Sequence, residues 1–282
     1  MTDDVLLVPI ANPASADRLL ATATDLARAF DMVIDVLHVV RVPPQLSMSD
    51  APNVLDVDTS FVFEMVDAIN DSGLTATARI RYARSISKGI ITATEDPSVS
   101  TALLGWRGRP QRRDIILGSY LDNVVNRAQS DVLIERVDEG GRSISSICLP
   151  VAGGPHTELA ARVAGGIAHI NDASVEVIHV IRPDGSHSEG GETYIQLAMD
   201  AISYDVEVIG SLVEHEDVTS AIVDHSANHD LTVMGAAEEG LLSQALFGAI
   251  PERVGRDAMS GVLLAKRQLP AHKRLSLLHR WF

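Results

Sequence analysis

The chain has 282 residues, enough for two domains of ordinary size, and 46% of them are hydrophobic against only 4% aromatic, so its cores are built from Val, Ile, Leu and Ala. The net charge is −15, with 13 basic and 19 acidic residues up to position 138 and 10 and 19 after it, so neither half offers the basic face that duplex nucleic acid requires. Cys148 is the single cysteine, which excludes an intrachain disulfide and a Cys-based zinc site, and no His-Glu-x-x-His pattern occurs.

In chain order, short apolar runs alternate with helical periodicity, the pattern of buried parallel strands joined by helices. Strands are expected over 5–10, 32–40, 76–82, 101–104 and 131–137, and helices over 15–30, 59–70, 87–95 and 120–128. The polar, proline-bearing segment 43–58 reads as a mobile flap. After a flexible Asp-Glu-Gly-Gly-Arg-Ser linker the order repeats, with strands near 146–151, 175–181, 206–211, 231–234 and 262–266.

The second half is a copy of the first. Pro9 and Pro150 stand 141 residues apart, as do Leu37-His-Val-Val and Ile178-His-Val-Ile, whereas Gly105 and Gly235, and Gly118 and Gly248, stand 130 apart. The difference of 11 places extra residues in the first copy, within 43–58. The expected fold is therefore α/β: two tandem Rossmann-like domains, each a five-stranded parallel sheet with helices on both faces. Their bounds are 1–138 and 145–269, with a tail at 270–282. Ligands of such sheets sit beyond the carboxyl ends of the strands.

One stretch, 105–119, reads G-W-R-G-R-P-Q-R-R-D-I-I-L-G-S between a strand and a helix. Gly105, Gly108 and Gly118 let backbone approach a phosphate, Ser119 adds a hydroxyl at the helix start, and Tyr120 follows. Arg107, Arg109, Arg112 and Arg113 crowd the loop, and Arg suits phosphate through its two-pronged donor. Arg79, Arg81 and Arg84 either extend that patch or balance nearby acids. Trp106 either stacks on a base or packs in a core. His38 and His179, at equivalent places, read as structural.

The spacing G-x-x-G-x9-G-S together with the duplication resembles the universal stress protein family over nearly the whole chain. That resemblance implies an adenine nucleotide alpha-hydrolase-like fold, with domains paired through their last strands as an internal pseudo-dimer. It also implies a nucleotide site that includes Pro9 near the end of the first strand, Val39 against adenine, and Gly105, Arg107, Gly108, Arg109, Gly118, Ser119 and Tyr120 along the phosphates. The family's usual carboxylate after the first strand is replaced by Ala11, and by Ala152 in the second copy. There, Gly235, Glu238, Gly248 and Ala249 stand where the first copy has Gly105, Gly108, Gly118 and Ser119, so a carboxylate meets the phosphate position and the hydroxyl is lost. The second site is expected to take no triphosphate.

The resulting expectation is a stress-response regulator that binds ATP or a related nucleotide, with Mg²⁺ as counter-ion, through its first domain. It is not an enzyme, since no general base or nucleophile motif is present. Modulation of a membrane transporter is an extension of that reading. A non-nucleotide scaffold with both sites degenerate and a weak ATPase stand as alternatives. The acidic N-terminus lacks a signal peptide and no apolar run is long enough to span a bilayer, so a cytoplasmic location is expected. Only Lys88, Lys266 and Lys273 are lysines, a composition suggestive of a salt-adapted organism. The tail at 270–282 places Leu275, Leu278 and Phe282 at helical spacing. It is expected to dock on its own domain or a sister subunit, the alternative being a membrane surface or another partner.

Overall fold

A computed structural model describes residues 4–13, 16–106, 119–137, 143–183, 190–236 and 249–269. Its first copy runs β1 (Val5–Pro9), α1 (Ala16–Phe30), β2 (Val33–Arg41), α2 (Ala51–Val54), α3 (Ser60–Asp71), β3 (Ala76–Ala83), α4 (Ile86–Ala93), β4 (Val99–Trp106), α5 (Ser119–Arg127) and β5 (Asp131–Arg136). The second runs β6 (Ser146–Pro150), α6 (Pro155–Asn171), β7 (Ser174–Ile181), α7 (Gly191–Ala201), β8 (Val208–Glu214), α8 (Val218–Ser226), β9 (Leu231–Gly235), α9 (Ala249–Asp257) and β10 (Gly261–Lys266).

The strands form one ten-stranded sheet in the order β3-β2-β1-β4-β5-β10-β9-β6-β7-β8. Pairing within each copy is parallel, while β5 and β10 join antiparallel, with Ile134 opposite Leu264. The duplicated chain is thus its own pseudo-dimer, closed through the last strand of each copy. Leu6, Leu7, Ile34, Leu103, Leu133 and Ile134 are completely or almost completely buried, as expected of strands covered on both faces. One helical layer holds α1, α3, α6 and α7 and the other α4, α5, α8 and α9, and each apolar layer is continuous across the two copies. Local signals start several helices: Ser85 accepts from the Lys88 N–H (3.2 Å) and Asp217 from the Ser220 N–H (2.7 Å).

Side chains reinforce the junction. Gly166 of α6 faces Phe30 and Ala29 of α1 so closely that a Cβ there would lie 2.8 Å from the Phe30 ring, and its absence lets the two helices touch. The Tyr204 hydroxyl donates to the Ala29 carbonyl, its ring stacks on His169 at 4.9 Å, and Asn171 donates to Asp25 (2.9 Å). The buried Arg136 guanidinium donates across the seam to the Gly255 (2.9 Å) and Ser260 (2.6 Å) carbonyls. Trp106 is 4% exposed and lies against Gly255 of α9, so of its two readings the packing one holds. Tyr204→Phe removes one of these cross-copy hydrogen bonds and should lower the unfolding free energy by about 1 kcal/mol, read from urea denaturation.

Three features depart from the sequence reading. β4 begins at Val99 rather than 101, and β8 occupies Val208–Glu214 rather than 206–211. Segment 43–58 folds a turn and the short α2, buries Ala51 completely and is tied down by Arg84, which donates to the Pro43 carbonyl. Arg84 therefore belongs to that anchor. Arg79 pairs with the buried Asp35 (2.8 Å) and with Asp96 (3.6 Å), near the amino ends of the parallel strands and away from the end where ligands bind.

Candidate functional site

In the first copy a gap opens where the strand order reverses. β1 pairs with β4 only from Val5 to Leu7, opposite Val99 to Ala102, with a register shift between Val5 and Leu6. Beyond that point Val8 and Pro9 pair with β2, and Leu103 to Trp106 with β5. The carboxyl ends of β1 and β4 therefore part, as doubly wound sheets do at their switch point. Gly105 sits on the β4 side of the gap. Among the described residues, a Cβ on it would meet only side chains, Val137 at 3.1 Å and Leu19 at 3.6 Å. Ala11, Asn12 and Pro13, which leave β1, are exposed.

β2 supplies main chain to the same gap. The Leu37 carbonyl accepts from Ile10 of the β1 end, whereas the Val42 N–H donates to Ala83 of the β3 end. By strict alternation the N–H and C=O of Val39 and Arg41 face the β1 side, where β1 has already finished. The Val39 side chain is buried against Gly89 of α4, so only its backbone is presented there. His38 Nδ1 bonds to the Ile10 carbonyl (2.9 Å) and its ring meets Phe61 edge-on at 5.2 Å. It fastens the end of β1 to β2, the structural role the sequence suggests. The exposed Tyr120, at the start of α5, donates its hydroxyl to the Gly105 carbonyl (3.4 Å). Ser119 is the first residue of α5. Arg107, Gly108, Arg109, Arg112, Arg113 and Gly118 lie outside the described residues.

The second copy has the same frame with its gap filled. β6 pairs with β9 only at Ile147 and Cys148. The first turn of α6 drops into the space beyond: a Cβ on Gly235 would stand 2.6 Å from the His156 carbonyl carbon and 2.8 Å from the Thr157 nitrogen. Gly153 and Gly154 make that entry possible, with φ of +85° and +83°, and Pro155 opens the helix. Tyr194 lies over Gly153, its ring 2.7 Å from where a Cβ would be. His179 repeats the His38 bond, to the Val151 carbonyl at 2.7 Å, and meets Tyr194 edge-on at 5.5 Å.

His156 is held neutral. Burial, then the positive charges of Lys266 and Arg267, pull it down to about 4, and its Nδ1 accepts the Arg267 N–H (3.0 Å). Arg267 also pairs with Glu158 (2.9 Å), so the chain leaving β10 clamps the α6 turn in place. Sequence comparison of the copies singles out Glu238 and Ala249. Ala249 opens α9, Glu238 lies outside the described residues, and the filling by Tyr194 and His156 was not anticipated. The adjacent glycines 153 and 154, absent from the first copy, are the one signal that could have pointed to it. Among the described residues no group of three or more His, Cys, Asp or Glu side chains is placed to hold a metal ion, and no helix is long and apolar enough to cross a membrane.

This frame, a parallel α/β domain written twice and joined through its last strands, defines a class of protein. The chain belongs to the universal stress protein family, whose model matches residues 4–136 and again residues 144–266. Among solved structures it is similar to a universal stress protein of Archaeoglobus fulgidus DSM 4304, at 19% identity and a TM-score of 0.67, covering 94% of this chain and 96% of the other. A Pseudomonas aeruginosa UCBPP-PA14 protein assigned to the same family matches at 18% identity and 0.64, covering 94% of each chain. The cytoplasmic domain of a prokaryotic cation chloride cotransporter matches at 12% identity and 0.60, covering 93% of this chain and 95% of that one. No curated protein sequence matches the chain significantly.

Proposed function

We propose that the first copy binds ATP or a related nucleotide, with Mg²⁺ accompanying the phosphates, and that the chain is a non-catalytic regulator of the stress response. The observation that carries this reading is the gap between β1 and β4. Its described walls include the main chain of Val39 and Arg41, the exposed turn after Pro9, Gly105, and the start of α5 at Ser119. An adenine edge can meet the N–H and C=O of Val39, while phosphates meet the loop that begins at Gly105 and ends at the α5 N-terminus. The second copy, closed by Tyr194 and by the α6 turn, serves as the structural half. The Mg²⁺ is held by the nucleotide's own oxygens rather than by a protein cage.

A regulated partner belongs to the same proposal, and a membrane transporter is the class we favour. The cotransporter domain shares the fold, which supports the fit of such a module to that setting. The chain itself would then act in the cytoplasm, and its acidic surface suits a salt-rich one.

The test is calorimetric titration of the purified protein with Mg-ATP at high salt, beside the Gly108→Glu variant. Saturation near one nucleotide per chain, abolished in the variant, supports the reading. Absence of saturation at millimolar ATP overturns it and leaves an interaction scaffold, for which the missing carboxylate at Ala11 speaks. Phosphate release that disappears in Gly118→Asp would instead identify a weak ATPase.

A further inference from the structure

The ten-stranded sheet ends in two edges that differ in kind. β3 carries Arg79 and Arg81, and charged side chains on an edge oppose the addition of another strand. β8 reads Val-Ile-Gly-Ser-Leu-Val-Glu, without proline and with its only charge at the last position. Its register with β7 runs unbroken from Val175–Val208 to Ile181–Glu214, so no bulge bends it away. Ile209 is 54% exposed and Leu212 44%. Among the described residues, β8 carries no proline, no bulge and, before Glu214, no charge to protect the edge.

The direction of its hydrogen-bonding groups follows from its neighbour. The Glu207 carbonyl accepts from Val175 and the His215 N–H donates to Ile181, so odd-numbered residues face β7. Val208, Gly210, Leu212 and Glu214 therefore turn their N–H and C=O outward. In an antiparallel two-fold pair, outward residues must lie opposite outward residues.

We propose that β8 is a self-association edge: two copies of the chain join there by antiparallel strand addition centred on Ser211. In this register Gly210 exchanges hydrogen bonds with the partner's Leu212, and Val208 with the partner's Glu214. Ile209 lies against the partner's Val213 on the same face. Glu207 then stands opposite the partner's His215, a ring whose Nδ1 is already engaged by the Asp217 main chain at 3.0 Å, leaving Nε2 to meet the carboxylate. Centring on Gly210 instead would oppose Glu207 to Val213, and centring on Leu212 would oppose it to Asp217. Charge and pattern together select Ser211. The fold already uses this device once, where β5 and β10 pair antiparallel within the chain.

Light scattering on the full chain at micromolar concentration should give twice the 30.2 kDa chain mass. Leu212→Lys, at an exposed site, should give the monomer with an unchanged circular dichroism spectrum. Ser211→Cys should form a disulfide-linked dimer on mild oxidation. A non-hydrogen-bonded antiparallel pair sets its Cα atoms about 4.5 Å apart, inside the disulfide range of about 4.4–6.8 Å. The native Cys148 is buried and does not compete, and Ser203→Cys, exposed ahead of the strand, should not cross-link. A monomer at every concentration overturns the proposal. So does a dimer that survives Leu212→Lys and is not trapped by Ser211→Cys.

Discussion

Gly235→Ala is expected to lower the unfolding free energy by about 3 kcal/mol, whereas Gly105→Ala, at the equivalent place, should cost less than about 1 kcal/mol. The two positions differ in what a methyl group meets. At Gly235 the obstacles are main-chain atoms of His156 and Thr157, 2.6–2.8 Å away, fixed in the first turn of a 17-residue helix. That turn cannot retreat without breaking the Arg267 N–H bond to His156 and moving α6 off the sheet. At Gly105 the tight neighbour is one methyl of Val137, which can change rotamer to give the few tenths of an ångström required. Binding should respond in the reverse order: Gly105→Ala narrows the proposed nucleotide gap, while the Gly235 variant binds normally at temperatures where it stays folded. Urea denaturation and nucleotide titration of both proteins read the two effects. Equal destabilisation by the two substitutions would refute the claim that, among the described residues, main chain fills the gap of the second copy and not that of the first.

That contrast also shows where sequence reasoning stops. Fold and duplication were legible because they rest on repeated local patterns: apolar runs such as Leu6–Val8 and Val132–Ile134, and paired landmarks such as Pro9 and Pro150. β8 starts two residues and ends three residues later than expected because an edge strand is half wet. Its apolar signal is diluted, and Gly210 sits in its interior because Ile195 of α7 leaves no room for a Cβ. The start of β4 was missed because Ser100 separates Val99 from the run that begins at Thr101. Glycine spacing singles out 105–119, from the end of β4 onward, as the proposed nucleotide loop, of which 107–118 lie outside the described residues. It could not show that Arg79 would be taken by Asp35, or that Trp106 would cross to Gly255, since both contacts join residues distant in sequence. The closure of the second copy is likewise a matter of approach between elements: Tyr194 and His156 are unremarkable as letters and decisive as neighbours.

Stability should also respond to pH through two buried groups that oppose each other. Glu135 of β5, 2% exposed and bonded to Arg18 at 2.9 Å, is pushed up from 4.5 to about 7 because burial outweighs the stabilising guanidinium. The folded protein therefore holds this proton more tightly than the unfolded chain. Its contribution to stability is complete below pH 4.5 and is lost as the pH rises to about 7. His156 is pulled the other way, from 6.5 down to about 4, so its contribution is complete above pH 6.5 and is lost as the pH falls to about 4. Each shift spans two to three pH units, which corresponds to about 3 kcal/mol. Across the shared window the two slopes cancel, and the wild-type protein should show almost none from this pair. Glu135→Gln keeps an acceptor for Arg18 without a titrating proton, and should unmask a rise in stability of about 3 kcal/mol between pH 4 and pH 6.5. His156→Gln keeps an acceptor for the Arg267 N–H and should unmask a comparable fall between pH 4.5 and pH 7. Urea midpoints at intervals across that range decide the matter. Two variant profiles running parallel to the wild type would mean that neither buried group holds the protonation state its surroundings impose.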